Sequence, residues 1–164
     1  AGTTFTLRVP LTLAVLDALA FECAGQRYVA ALSSVDEILE LDPSRVSFAP
    51  SPREPGARAS VGMIERRGET IPLVDLDRAL GSAVRKEPAL RALVVRRDGE
   101  ATAFGVDRML GQQEVVVRPL ADPLLRVPGV SGATDLGDGR PTLVLDLLAL
   151  RGRAFARPRR GGEG

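Results

Sequence analysis

The residues that could carry chemistry in this sequence are few, and the most versatile type is missing. The 164 residues include no histidine and a single cysteine, Cys23. Without histidine there can be no Ser-His-Asp triad, no Cys-His dyad and no histidine-ligated metal, and one cysteine cannot form a thiolate cluster. The acidic residues are scattered along the chain instead of being spaced like the ligands of a loop site. We therefore expect no catalytic residues, no cofactor and no metal.

Two glycine-containing segments resemble parts of known active sites, but neither has the neighbours that it needs. Gly137-Asp-Gly139 resembles part of a dinucleotide-binding loop, yet no helix-forming stretch follows it, so we predict a hairpin turn. Gly129-Val-Ser131-Gly132 lacks the spacing of a nucleophile elbow, and Ser131 has no available base. Catalysis by this chain is therefore not expected.

The charge of the chain is nearly balanced overall but uneven along its length. The net charge is +1 and only 4% of the residues are aromatic, so a nucleic-acid partner is not expected. Residues 151–164 hold five arginines and one glutamate, a net charge of +4, which leaves −3 for residues 1–150. We interpret residues 153–164 as a linker or tail, and contact of this basic segment with nucleic acid or anionic lipid is the alternative. The longest apolar run, Leu11–Phe21, has about half the ~20 residues of a membrane span, so direct membrane insertion is not expected.

Glu37 and Arg67 are the two charged residues that the pattern singles out. Each lies at the edge of an apolar strand run, where burial of an isolated charge is unfavourable. One hypothesis is that the two side chains form an ion pair. The other is that both are ordinary solvated residues.

One sequence unit occurs twice, as Gly62–Leu76 and as Gly132–Leu147. The shared positions are a turn glycine, Gly68 or Gly139, and seven residues later a strand-ending aspartate, Asp75 or Asp146. Between them lies a short apolar run, and the aspartate can accept the N–H groups of a following helical turn. The repeat predicts two similar β-modules, an arrangement suited to binding.

Turn residues and alternating patterns predict many short strands and almost no long helix. The predicted elements are a strand at 3–9, a hairpin of 19–23 with 27–32, a helical turn at 34–37, a hairpin of 90–95 with 101–106 turning at Asp98-Gly99, and a strand at 115–117. Residues 82–88 form the best internal boundary. This spacing indicates an all-β fold made of small barrels or a sandwich.

A longer series of residues resembles the CheW-like domain of chemotaxis proteins. The series is Val35-Asp-Glu37-Ile38, Gly62 with Arg67-Gly68 and Ile71-Pro72-Leu73-Val74-Asp75-Leu76, Phe104-Gly105-Val106-Asp107, Leu110-Gly111-Gln112-Gln113-Glu114-Val115, and Ser131-Gly132-Ala133 with Gly137-Asp138-Gly139. Residues 2–14 also resemble the last strand of the ATP-binding domain of CheA-type kinases and its junction with their regulatory domain. The combination is similar to the C-terminal regulatory domain of such a kinase and covers about residues 2–150.

The resemblance implies two tandem five-stranded SH3-like β-barrels related by a pseudo-two-fold axis, with few helical turns. It implies that residues 1–14 are the kinase junction, 15–152 the CheW-like domain and 153–164 the tail. Within the domain we expect a first barrel at about 15–85 and a second at about 89–145, with a closing segment crossing back. Because the chain begins without methionine in the middle of a pattern, we expect it to be a fragment of a longer protein.

The resemblance also implies a function, that of a non-catalytic docking and regulatory domain of a CheA-type histidine kinase. The implied partners are a CheW-type coupling protein, the cytoplasmic tip of a chemoreceptor and the kinase's own ATP-binding domain. The implied location is cytoplasmic, in chemosensory clusters. A free-standing CheW-type coupling adaptor is the alternative. Retained nucleotide binding is a further one, because Gly2-Thr-Thr resembles the end of an ATP lid, but the phosphate- and metal-binding motifs are missing.

Several residues match positions of the family. They are the charged pair Glu37 and Arg67, the turn glycines Gly68, Gly99 and Gly139, the strand-ending Asp75 and Asp146, and the partner-binding candidates Val46 and Phe48 on the first barrel. Two features depart from the family's kinases. The loop at 47–60 is longer than expected, and the basic tail continues past their usual end.

Overall fold

The structure is a computed structural model that describes residues 2–6, 14–50, 58–81, 87–120 and 127–154. These ranges contain eleven strands and two short α-helices. The strands are β1 (Ala14–Cys23), β2 (Gln26–Ala31), β3 (Glu37–Glu40), β4 (Ser47–Pro50), β5 (Arg58–Arg66), β6 (Glu69–Asp75), β7 (Arg91–Arg97), β8 (Glu100–Val106), β9 (Arg108–Val117), β10 (Val130–Asp135) and β11 (Pro141–Leu145). The helices are α1 (Leu76–Ala79) and α2 (Leu147–Ala154).

The strands form two sheets with the same internal order. One is ordered β10-β11-β2-β1-β9 and the other β5-β6-β8-β7-β3, with β4 added beyond β5. In both, two antiparallel hairpins are joined by a parallel pair, β11 with β2 in one sheet and β6 with β8 in the other. The twofold repetition of this order is the pseudo-symmetry that the sequence repeat predicts, and the all-β, two-barrel fold class is confirmed. We call the first sheet the split barrel, because residues 14–31 and 108–145 build it, and the second, from residues 37–106, the continuous barrel.

The predicted division of the chain into barrels at 15–85 and 89–145 does not match these sheets. The N-terminal hairpin β1–β2 pairs with β9 from Ala14↔Val117 to Glu22↔Arg108, and β2 pairs with β11. Residues 91–106, assigned to the second barrel, lie in the continuous barrel beside β3 and β6. The correction has a physical reason: a hairpin is a local pattern, whereas its partner in a sheet is chosen by burial of its apolar face.

The split barrel is closed by backbone hydrogen bonds between its two outer strands. Arg118 N donates to Ala133 O at 2.8 Å, and Ala133 N donates to Arg118 O at 2.9 Å. The Thr134 hydroxyl adds a hydrogen bond to Val116 O at 2.8 Å. These contacts tie β10 to the end of β9.

Three apolar cores follow from the period of two along the strands. Small and branched side chains fill the barrels: Ala18, Ala20, Val29, Val115 and Val144 in the split barrel, and Leu39, Ile64, Ile71, Leu73, Ala92, Val94, Ala101 and Ala103 among those in the continuous barrel. The alternate residues point between the barrels, where Phe21 and Phe104 pack with the two helices. Alanine at the inward positions suits the narrow interior of a five-stranded barrel, and the larger side chains hold the two barrels together.

Several local predictions can be compared with the described residues. Both hairpins are present, with two-residue turns at Ala24-Gly25 and Asp98-Gly99. The strand predicted at 3–9 is wrong for residues 3–6, which form no strand and expose 91% of Phe5. The helical turn predicted at 34–37 is also wrong, because a 3-10 turn ends at Ser34 and Glu37 begins β3. The loop predicted at 47–60 and the tail predicted at 153–164 are wrong at their described ends, because residues 47–50 and 58–60 belong to β4 and β5 and residues 153–154 belong to α2. Other parts of the junction, loop, boundary and tail predictions fall on residues 1, 7–13, 51–57, 82–86, 121–126 and 155–164, which lie outside the described ranges.

Candidate functional site

The predicted charged pair joins β3 to the end of β5, but its main arginine is Arg66. Glu37 Oε1 accepts a hydrogen bond from Arg66 Nη2, and Arg67 Nη2 lies at 3.5 Å from the same oxygen. The Glu37 side chain is 27% exposed, against 39% for Arg66 and 74% for Arg67. The predicted ion pair between Glu37 and Arg67 is therefore present at 3.5 Å, and the structure adds a closer contact from Arg66 that the sequence analysis did not single out.

The two arginines differ in their position relative to the alternating faces of β5. Gly62, Ile64 and Arg66 alternate along β5 and share the face that closes against β3, whereas Arg67 stands in the turn with φ 53°. The alternation in the sequence could have identified Arg66. The hydrogen bond from Arg66 lowers the pKa of Glu37, and the same contact raises the pKa of Arg66.

The partner-binding candidates Val46 and Phe48 lie over the start of β5. Val46 is half-buried and packs against the interior of the continuous barrel, and Phe48 is half-buried on β4, opposite Gly62. A Cβ at Gly62 would lie 2.9 Å from Val46 Cγ1 and 3.0 Å from Phe48 Cε1. Val46 therefore has a packing role, and Phe48 on the outermost strand is the better placed of the two for an outside contact.

Gly132 repeats this arrangement in the split barrel. A Cβ there would lie 2.7 Å from Val117 Cγ1 and 2.8 Å from Arg118 O. Gly62 and Gly132 are the first residues of the two sequence copies, and each lies where neighbouring atoms leave no room for a side chain: side-chain atoms at Gly62, and both side-chain and backbone atoms at Gly132. The repeat thus begins, in both barrels, with a glycine at a position where a side chain would collide with neighbouring atoms.

The remaining predicted residues define turns and a helix start. Gly68 and Gly99 hold the second place of two-residue hairpin turns with φ 78° and 82°, where both turn residues need positive φ. Gly139 lies in the longer β10–β11 loop, where Asp135 Oδ1 accepts its N–H at 3.1 Å. Asp146 Oδ1 accepts from Ala149 N at 2.9 Å and caps α2 as predicted. Asp75 occupies the same place before α1, but its side chain makes no capping hydrogen bond.

The surface beside the ion pair is a shallow polar depression with apolar edges. It has a volume of about 650 Å³ and lies between β3 and the end of β5, with Glu37, Arg66 and Arg67 in its lining. Ile38 on β3, which also lines the depression, is exposed by 41%. Exposed apolar side chains next to charged ones are suited to a protein contact.

The described residues contain no group of three or more His, Cys, Asp or Glu side chains placed to hold a metal ion. In the same part of the chain, no helix is both long enough and apolar enough to cross a membrane.

Comparisons with known proteins all point to one family of domains. A model of the family described as "CheW-like domain" matches residues 17–154. The chain is 36% identical over 157 residues to the chemotaxis protein CheA of Salmonella typhimurium, covering 93% of this chain and 22% of that protein. It is 37% identical over 153 residues to CheA of Rhizobium meliloti, covering 91% and 19%. CheA of Bacillus subtilis is 33% identical over 151 residues, with 91% and 21% covered.

A solved structure supports the fold. The crystal structure of the scaffolding protein TtCheW from Thermoanaerobacter tengcongensis superposes with a TM-score of 0.59 and 21% identity, covering 80% of this chain and 88% of that chain. The chain thus spans about a fifth of the length of the CheA relatives and most of the length of the scaffolding protein.

Proposed function

This chain belongs to the CheW-like domain family, and from that premise we propose that it is the docking and regulatory domain of a CheA-type chemotaxis kinase. The CheW-like domain is a non-catalytic scaffold. The observation that carries the proposal is the extent of the match: CheA proteins align over more than nine-tenths of this chain but over only about a fifth of their own length. That proportion fits one domain of a longer kinase.

The proposed partners are a CheW-type coupling protein, the cytoplasmic tip of a chemoreceptor and the ATP-binding domain of the same kinase. The proposed location is a cytoplasmic chemosensory cluster. Two barrels that share an apolar core offer two separate outer faces, which suits a module that must contact several proteins at once. The free-standing coupling adaptor remains the second candidate, favoured by the 88% coverage of the scaffolding protein.

We place the contact with the coupling protein on β4 and the neighbouring edge of the continuous barrel. Phe48 is half-buried on β4, the outermost strand of the sheet, and Met63 on the adjacent β5 is exposed by 38% on the opposite face of the same edge. In this proposal Val46 supports Phe48 from inside the barrel. A standard interface buries about 800 Å² on each partner, and an aromatic anchor near its centre contributes a large share of the affinity.

The test is a calorimetric titration with a CheW-type coupling protein from the same organism. Binding by the unaltered chain and its loss in Phe48→Asp would support docking at β4. Leu143→Asp, which puts the same charge on an exposed residue of the split barrel, is the matched control and should still bind. No binding by the unaltered chain, or equal binding by Phe48→Asp, would contradict the proposed contact.

A second measurement separates the two candidates. The gene that encodes this chain would encode an ATP-binding domain upstream of residue 1 if the kinase assignment is correct. In the full kinase, deletion of residues 19–150 should abolish receptor-dependent control of autophosphorylation. Control that survives the deletion would overturn the regulatory role.

A further inference from the structure

Two carboxylates face each other on the outer surface of the split barrel. Asp17 on β1 and Glu114 on β9 are directly opposite in the antiparallel register, and both are exposed. Within the described part of the chain, neither carboxylate has a hydrogen bond or an ion pair. Like charges directly opposite each other in an antiparallel pair are destabilising, so this arrangement needs a reason.

The continuous barrel has an ion pair at the corresponding place. Strand β3 pairs with β7 as β9 pairs with β1, and the equivalent residues there are Glu40 and Arg91. Arg91 Nη1 lies 2.6 Å from Glu40 Oε1. The split barrel keeps the glutamate of this pair but has an aspartate where its pseudo-symmetric copy has the arginine. A cation is thus missing at this position of the split barrel.

An exposed apolar pair adjoins the two acids on the same face. Val15 and Val116 are opposite each other, two residues along each strand from Asp17 and Glu114, and they are exposed by 58% and 40%. Residues two apart on a strand share a face. We call these four residues the acidic–apolar patch. An arginine fits it, because the aliphatic stem can lie on the valines while the guanidinium contacts the carboxylates.

We propose that the arginine-rich segment 155–164 of the same molecule, which follows α2, occupies the acidic–apolar patch. The segment carries three arginines and one glutamate, so its net charge is opposite to that of the patch. It continues from α2, whose Ala149 lines the same depression as Leu120, four residues beyond Val116. In extended form residues 155–164 span at most about 36 Å, which is comparable to the length of the ten-residue strand β9.

The experiment places a nitroxide spin label on the segment of the full chain, at Gly161→Cys. The native Cys23 is 1% exposed, so labelling is confined to the new cysteine. Methyl NMR signals of Val15 and Val116 should broaden at low salt. The broadening should be lost at about 1 M salt, where the screening length is about 3 Å. It should also be lost in the double variant Asp17→Asn with Glu114→Gln, which removes a repulsion and therefore keeps the fold.

Glu65→Gln is the matched control, since Glu65 is an exposed carboxylate on β5 of the continuous barrel, and this variant should retain the broadening. Absence of broadening, or broadening that the Asp17/Glu114 double variant leaves unchanged, would overturn the proposal. So would broadening that arises only when spin-labelled chains are mixed with separately isotope-labelled ones, because the occupant would then be the segment of a second copy.

Discussion

Arg151 on α2 donates a hydrogen bond from Nε to Oγ1 of Thr102 on β8 at 3.0 Å, and this bond joins the two barrels. Thr102 is completely buried, and Arg151 is only 18% exposed and also pairs with Glu100. The sequence groups Arg151 with the basic tail by charge, but the structure makes it a part of the domain. The helix that ends the split barrel is thus held to the continuous barrel by a polar contact at the rim of an apolar core.

Arg151→Met should lower the free energy of unfolding by about 1–3 kcal/mol, because the buried Thr102 hydroxyl loses its donor. Urea denaturation measures the change. Arg108→Met, which breaks an exposed ion pair with Glu22 on the surface, is the control and should cost less than about 1 kcal/mol. Equal losses in the two variants would contradict the inter-barrel role of Arg151.

Gly132→Ala should destabilise the chain more than Gly62→Ala. The new methyl group at 132 meets the backbone oxygen of Arg118 at 2.8 Å, whereas at 62 it meets only the side chains of Val46 and Phe48. Side chains can rotate away, but the paired backbone of Arg118 cannot. We therefore expect the free energy of unfolding to fall by about 1–3 kcal/mol in Gly132→Ala and by less in Gly62→Ala. Thermal melting of the two variants gives the order, and a larger loss at 62 than at 132 would contradict the idea that the backbone contact at Gly132 is the less adaptable one.

The stability of the fold should depend on the ionisation of Glu37 under acidic conditions. The hydrogen bond from Arg66 lowers the pKa of Glu37 below its ordinary value of 4.5, so the folded state favours the carboxylate. The contribution is fully present above that value and is lost as the pH falls through the lower pKa of the folded state. Glu37→Gln should therefore flatten the acid side of the curve of unfolding free energy against pH.

Two arginine variants test which partner acts on Glu37. Arg66→Gln should flatten the same acid limb as Glu37→Gln, while Arg67→Gln should leave most of it, since Arg67 is at 3.5 Å and largely exposed. Asp42 and Asp138 also have lowered pKa values, so the comparison is made as a difference from the unaltered chain. A larger effect from Arg67→Gln than from Arg66→Gln would contradict the dominant role of Arg66.

Charge changes in the two pseudo-symmetric pairs, Asp17 with Glu114 and Arg91 with Glu40, should change the free energy of unfolding in opposite directions. Asp17→Arg builds the ion pair that the split barrel lacks and should add about 0.2–1 kcal/mol, while Arg91→Asp should remove a similar amount. Both are measured by urea denaturation with Arg157, Arg159 and Arg160 replaced by glutamine, so that the basic segment does not contribute. Raising the salt concentration should reduce both effects.

Much of the architecture could be predicted from the sequence because it depends on local patterns. The Asp98-Gly99 turn, the hairpin around Ala24-Gly25 and the cap at Asp146 each follow from a few neighbouring residues. The repeat beginning at Gly62 and Gly132 predicts the two modules, and both glycines lie where neighbouring atoms leave no room for a side chain. The absence of histidine directs the interpretation away from catalysis.

Only the tertiary structure decided which distant segments meet. The pairing of β1 with β9 makes the split barrel, and it also places Asp17 opposite Glu114, although 97 residues separate them in the chain. Glu37 contacts Arg66 more closely than Arg67, because at the end of β5 the Arg66 side chain is the one directed toward β3. Sequence patterns report which face of a strand is apolar, but the partner of that face is selected by burial of the whole core, which is a property of the assembled chain.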